Sequence, residues 1–495
     1  MYSFTEFLNK ININYNNWDD YGFKTTASIN IDNETVFFNV YPNNQDTYNF
    51  MYGNSNKNNE VYFTLGGQDY YDFINRKLRK EDREKWYTLT KDLAYDTQFL
   101  DFLTKGVYGD EYAAVIYTSF LRFKDYAEVK NQLHRMTLGG KYLDRFKMTI
   151  INSTDNAEVL SIDVDPDDDL PKNTFGFIGR NGTGKTHILN NIIKLLLGRE
   201  SDLLWKMLDS DSKEELASIE KVIKISYSPF DYIDPGVARD ERYIKIGLLR
   251  EDMNSFNSLY ENINNRLFTS LCEICVPANQ SRKDLWEEII MNFSYEDWAK
   301  DILFIIKDMR LTNDNYNPTM IEKPSNLNYF IENMSSGQKI ILLTINELIL
   351  NVREKYMVLF DEPELFLHPS LVKSYIRAII QTITKMNGIC IIATHNPLIL
   401  QELQTSCVKV TNKENNKYVI RSLSDFNVNS FGENVNVLNN MIFGIDIQNT
   451  GYYQYLTSKN QIELIENYDF LMNKLGSEGR VLLNHLTEAI NEKNR

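Results

Sequence analysis

The stretch that most constrains this chain is Gly179-Arg180-Asn181-Gly182-Thr183-Gly184-Lys185-Thr186, followed by His187. An apolar run, Phe175-Gly176-Phe177-Ile178, precedes it, and Ile188 to Leu197 follows with helical apolar spacing. Strand, glycine loop, helix is the context that a phosphate-binding loop requires, and it commits the region to an α/β fold. Glycines at 179, 182 and 184 let successive N–H groups converge on one point with no Cβ in the way. The helix that follows adds the positive end of its dipole. Lys185 can reach β- and γ-phosphate oxygens, and the Thr186 hydroxyl can ligate Mg²⁺. Gly179, Asn181, Gly182, Thr183, Gly184, Lys185, Thr186 and His187 are therefore the expected nucleotide-binding set.

A second motif completes this chemistry. Met357-Val358-Leu359-Phe360-Asp361-Glu362 reads as a buried strand ending in two adjacent carboxylates. At such an edge one carboxylate can hold Mg²⁺ and the next can polarise an attacking water. Asp361 is expected on the metal and Glu362 as general base. Asn333-Met334-Ser335-Ser336-Gly337-Gln338 opens a helical run, Ile340 to Leu350, and reads either as a plain helix cap or as a second anion site. Gly388 to Thr394 is a strand that delivers His395, either a structural hydrogen-bonder or a group that reaches the γ-phosphate.

Length and charge bound the rest. At 495 residues the chain has room for two or three domains. A formal net charge of −15 argues against a surface that coats nucleic acid or anionic membrane, although a local basic groove for DNA stays open. Met1 to Tyr15 is polar and broken up, unlike a signal peptide. Ile340 to Leu350 contains Asn346 and Glu347 and is too short to span a bilayer. A cytoplasmic protein without a membrane partner is expected. Cys272 and Cys275 form a lone C-x-x-C with no second pair, so idle buried thiols are expected.

In chain order, residues 1–140 read as an α/β accessory domain of unknown task. Strands Ala27–Ile31 and Thr35–Val40 flank a turn at Asp32-Asn33, Asn43 to Asn59 reads as a loop, and helical spacing runs from Asp69 to about Gln132. Arg76-Lys77-Leu78-Arg79-Lys80 is followed by Glu81, Asp82 and Glu84, which suits a solvated helix face. The nucleotide domain spans 141–450, with strands at Phe146–Ile151, Leu160–Val164, Val222–Tyr227 and Tyr243–Leu249. The acidic loop Asp165–Asp169 does not fit an EF-hand. A helical insert is expected over about 236–330, and a hairpin from Cys407–Asn412 and Tyr418–Leu423. A helical tail over 451–495 is broken at Gly476 to Gly479.

With these residues in order, the sequence resembles the ABC-type ATPases: Walker A at Gly179–Thr186, signature at Met334–Gln338, Walker B with base at Asp361 and Glu362, switch histidine at His395. The form Asp361-Glu362-Pro363-Glu364-Leu365-Phe366-Leu367-His368-Pro369 looks like the branch holding RecF, SMC-like and OLD-type ATPases, many from bacterial phage-defence loci. The resemblance covers roughly Lys141 to Ile447. It implies an ABC-type head, ATP and Mg²⁺ as ligands, and catalytic roles for Lys185, Glu362 and His395. It also implies a head-to-tail homodimer with two ATPs in the interface, in which Ser335, Ser336, Gly337 and Gln338 of one copy meet the nucleotide of the other. Two departures stand out. No glutamine occupies the expected Q-loop, where Ser228 or Asp231 stands instead, and Ser336 replaces a usual glycine. Nothing in the tail resembles a TOPRIM nuclease, so any nuclease or toxin activity is expected in another polypeptide. The expected function is an ATPase that controls such an effector in a defence complex. A repair or chromosome-maintenance ATPase should show a long coiled coil or basic groove, and a transporter subunit a Q-loop glutamine; the sequence shows none of these.

Overall fold

Asp32 and Asn33 both adopt positive φ, 54° and 65°. Paired left-handed residues twist a two-residue turn to match the right-handed twist of the strands it joins, Thr26–Ile31 and Glu34–Tyr41. Asn12–Tyr15 and Phe63–Gly66 complete an antiparallel sheet on either side of that hairpin. Helices Gln68–Lys77, Lys80–Thr90 and Thr97–Thr104 bury an aromatic-rich core with it, including Phe38, Phe63, Tyr70 and Trp86. The basic run beside this sheet is spent on local pairs: Lys77 lies 3.3 Å from Asp32 and 3.2 Å from Glu34, and Arg76 bonds Glu34 as well. The computed structural model describes the chain apart from residues 16–22, 45–46, 48, 50, 53–60, 122–123, 125, 171, 207–218, 229–230, 232–233, 248–255, 276–279, 309–324, 415–416, 444–450 and 494–495. Most of the loop expected over Asn43 to Asn59 lies outside the described residues.

The nucleotide motifs sit on a seven-stranded sheet. Its order is Tyr243–Gly247, Val222–Ser226, Met357–Asp361, Ile389–Thr394, Thr174–Ile178, Val408–Glu414, Lys417–Ser422. The first six strands are parallel and the last returns antiparallel. Val222–Ser226, Met357–Asp361, Ile389–Thr394 and Thr174–Ile178 are buried at every position, which is why they read as continuous apolar runs and not as alternating ones. Tyr243–Gly247 is an edge strand of this sheet, so the helical insert expected from about residue 236 begins only after it. Helices Phe256–Cys275, Gln280–Ile290, Asp297–Asp308 and Ser325–Asn333 form that insert. They share one core with helices Ser336–Asn351 and Pro369–Lys385. Inside it the Trp286 indole donates to Asn346 Oδ1 at 2.7 Å, which satisfies a polar pair far from water. Cys272 and Cys275 are buried free thiols there, and burial pushes them up to about 11 and about 12.

A three-stranded antiparallel sheet, Glu158–Val164, Phe146–Asn152 and Leu203–Lys206, covers the other side through a core shared with Phe175, Phe177 and Ile192. The acidic loop is neutralised by neighbours: Lys141 pairs with Asp167, Arg145 with Asp165 and Lys172 with Asp168. Among the described residues no group of three or more His, Cys, Asp or Glu side chains could hold a metal ion by itself. The last helices, Gly451–Thr457 to Ser477–Lys493, close on a small core of Leu456, Leu464, Leu471 and Leu483. Gly479 lies within the final helix, so the expected break narrows to Leu475-Gly476. No described helix is long and apolar enough to cross a membrane.

Candidate nucleotide site

Parallel strands end together, and ligands of such sheets sit beyond their carboxyl ends. Here Ile178 is in register with Thr394, and Ala393 with Asp361. Gly179, His395 and Glu362 therefore leave the sheet at the same edge, with the histidine strand between the two others. The register brings together motifs separated by more than half the head's sequence.

The glycine loop is shaped by close approach as well as by φ. A Cβ on Gly179 would stand 2.2 Å from the Thr411 carbonyl oxygen, and Gly184 has φ +88°. Thr183 Oγ1 donates to the Arg180 carbonyl at 2.8 Å and lies 2.9 Å from Thr411 Oγ1. Thr411 Oγ1 in turn donates to the Ile178 carbonyl at 3.2 Å. The Val408–Glu414 strand thus buttresses the loop from behind. Lys185 Nζ donates to the carbonyls of Gly179 and Arg180 at 2.9 and 3.0 Å, and burial holds its pKa below the usual lysine value. The ammonium is poised over the loop, within reach of an anion seated there. Asn181, Gly182 and Thr186 are exposed. His187 faces Asp202, with Nε2 3.3 Å from Oδ2 and 2.9 Å from Asn191 Nδ2.

Asp361 is buried, and burial pushes its carboxyl up to about 6 against an opposing hydrogen bond from Thr186. Its Oδ1 is buried and has no hydrogen-bond partner. An orphaned buried carboxylate oxygen is costly, and a cation relieves that cost. One carboxylate and one hydroxyl suit Mg²⁺, which keeps most of its shell as water and phosphate oxygen. These residues fit the ion.

Glu362 sits at φ +49°, uncommon for a residue with a side chain, and its N–H donates to the Ala393 carbonyl at 2.8 Å. His395 Nδ1 lies 3.4 Å from Glu362 Oε1 and 3.4 Å from Glu364 Oε1. Glu364 is buried, and burial raises its pKa. Glu364 was not among the expected site residues; the only signal for it was its place in the Asp361–Pro369 form. Asp231, one of two residues near the expected Q-loop, is committed elsewhere: its Oδ1 lies 2.5 Å from Lys224 Nζ, both side chains nearly inaccessible.

Among the described residues, no contact gathers Met334–Gln338 with these groups. Ser335 caps helix Ser336–Asn351 in a reciprocal capping box with Gln338, at 3.3 Å and 2.9 Å. The plain helix-cap reading is thus realised in full. Yet Ser335 and Ser336 remain exposed, while Gly337 is buried, with Phe366 O 3.1 Å from where its Cβ would be.

The sheet order, the glycine loop and the two carboxylates make an α/β P-loop fold with a candidate nucleotide site at one edge of its parallel sheet. Residues 238–401, which hold Met334–Gln338, Asp361, Glu362 and His395 but not the glycine loop, match the family profile described as "AAA domain, putative AbiEii toxin, Type IV TA system". Protein ea59 of Escherichia phage lambda is 28% identical over 96% of this chain and 94% of its own length. A probable ABC transporter ATP-binding protein, p29 of Mesomycoplasma hyorhinis, is 22% identical over 49% of this chain and 77% of its own. Among solved structures, an SMC head bound to the C-winged helix domain of ScpA covers 57% of this chain and 98% of that one, at 15% identity and a TM-score of 0.28.

Proposed function

We propose that this chain binds and hydrolyses ATP between two copies of itself, and that the ATP-dependent closure controls a separate effector in a bacterial antiphage defence complex. The observation that carries the dimer is the exposed Ser335-Ser336 pair at a fully capped helix N-terminus. Its own cap is satisfied, so it needs no local partner, and it offers hydroxyls to a ligand brought by a neighbour. In the closed pair, Gly182 to Lys185 of one copy hold the phosphates and Ser335 and Gly337 of the other seal the γ-phosphate. Thr186 and Asp361 would hold Mg²⁺, which would supply neutralisation of the phosphate charge. Glu362 accepts a proton from water as the water oxygen bonds to the γ-phosphorus. The bond from that phosphorus to the bridging oxygen breaks, leaving ADP and phosphate. His395, held by Glu362 and Glu364, meets the γ-phosphate and senses its loss. We assign residues 1–140 as an accessory domain, 141–450 as the ATPase head and 451–495 as a tail.

The toxin–antitoxin wording of the matched family description supports the effector role. The near full-length relative is phage-encoded, so this architecture also travels in phage genomes. DNA as a further ligand fits a head of this class, whereas the described helices reach at most 20 residues, short for a chromosome-maintenance coiled coil. Phosphate release from Mg-ATP tests the enzymatic part: Lys185→Ala should abolish it. Co-expression with the product of the adjacent gene tests the effector part, and a membrane permease as that neighbour would overturn it.

A further inference from the structure

A cavity of about 730 Å³ opens in the accessory region, between the turn that follows helix Lys80–Thr90 and helix His134–Thr137. That is the size of a site for a small molecule, and its walls mix aromatic rings with a few polar groups, as such sites do. Tyr95 lines it with a half-buried ring, and the fully buried Tyr87 stacks on that ring, with centroids 5.7 Å and planes 27° apart. Lys91 lines it too, with Nζ 4.4 Å from the centre of the Tyr62 ring. Burial holds this ammonium below the usual lysine value, and no carboxylate among the described residues pairs with it. Asp96 also faces the cavity, but its Oδ1 accepts the Phe99 N–H at 3.0 Å, so its charge serves the start of helix Thr97–Thr104. His134 Nδ1 donates to the Ala94 carbonyl at 2.7 Å, which leaves Nε2 as the ring nitrogen open to a ligand.

We propose that this cavity binds a small aromatic anion, its ring on Tyr95 and its carboxylate or phosphate on Lys91, and that occupancy reaches the nucleotide head through Arg135 and Glu354. A planar ring covers the apolar face that Tyr95 offers. An anion gives a partly desolvated ammonium the partner it lacks. The chain neighbour of His134 makes the link to the head. Arg135 Nη2 and Nη1 lie 2.9 and 3.3 Å from the two Glu354 carboxylate oxygens. Glu354 stands between helix Ser336–Asn351, which Ser335 caps, and strand Met357–Asp361. It also accepts from Asn387 Nδ2 at 2.7 Å, just before strand Ile389–Thr394. A ligand that moves His134 therefore moves the turns that lead into Asp361, Glu362 and His395. That link rests on reading the head as an ATPase; the cavity does not.

Calorimetric titration of full-length Lys185→Ala, whose phosphate loop is silenced, with uridine monophosphate and with indole-3-acetate separates a nucleotide source from an aromatic acid. At least one should bind, with Lys91→Ala and Tyr95→Ala each weakening it by about tenfold and Tyr95→Phe retaining it. If neither binds, or if both alanine substitutions leave the affinity at its starting value, the site is lost. In wild type the bound probe should shift kcat for ATP by about fivefold. That shift should vanish in Lys91→Ala and in Arg135→Gln, the latter still binding the probe. An unmoved kcat would overturn the relay through Arg135 and leave the cavity standing. Wild type that hydrolyses no ATP would overturn the ATPase reading, whereas the titration on Lys185→Ala would still decide the cavity.

Discussion

Thr394 Oγ1 donates to Glu364 Oε1 at 2.6 Å, and the same oxygen accepts the His395 N–H at 3.2 Å. The buried glutamate is thus fixed before it meets the imidazole, and it sets where His395 points. Glu364→Ala should lower kcat by about 10²-fold, the scale expected for a misplaced group, with a smaller change in KM for ATP. Thr394→Val should act in the same direction and less. Steady-state ATPase kinetics check both; an unchanged kcat in Glu364→Ala would mean that His395 is held by other contacts.

The Lys224–Asp231 pair predicts a stability effect. Nζ and Oδ1 are 2.5 Å apart, with side-chain exposures of 0% and 3%, and Lys224 also donates to Asn190 Oδ1 at 3.0 Å. Removing one member strands the other's charge, so Lys224→Met or Asp231→Ala alone should cost about 3–5 kcal/mol. Lys224→Met with Asp231→Leu should cost clearly less than the sum of the single changes, because no charge is left unpaired. Chemical denaturation reads this directly. Additive losses would show that the two groups are not coupled.

Much of the head was legible because its signals are local. The glycine spacing marks the loop, the apolar runs mark strands buried on both faces, and Asp32-Asn33 marks a turn that needs two left-handed residues. What could not be read joins distant positions. Glu364 looks like part of an acidic turn until Thr394 and His395 are folded onto it. Tyr418 looks like an ordinary strand tyrosine until Gly184 is beneath it. Local periodicity says nothing of sheet order, and each of these contacts depends on that order.

Asp92 gives the accessory region a pH dependence. It is fully buried, and burial pushes its carboxyl up to about 7, although Tyr71 Oη, Ala94 N and Tyr95 N all donate to it. The folded form keeps the proton up to about pH 7, whereas an unfolded aspartate releases it near pH 4. This group's contribution to stability is therefore complete below about pH 4 and declines as pH rises through 7. Asp92→Asn keeps an acceptor for the two N–H groups and carries no charge. Its melting temperature relative to wild type should rise between pH 5 and pH 8; a constant difference would show that Asp92 does not hold its proton.

The central claim is that ATP joins two copies through Ser335 and Lys185, and sedimentation of Glu362→Gln with and without Mg-ATP tests it most directly. The expected result is a monomer without nucleotide that doubles in mass with it, with the doubling lost when Lys185→Ala or Ser335→Arg is added. A mass that stays the same with saturating Mg-ATP would contradict it.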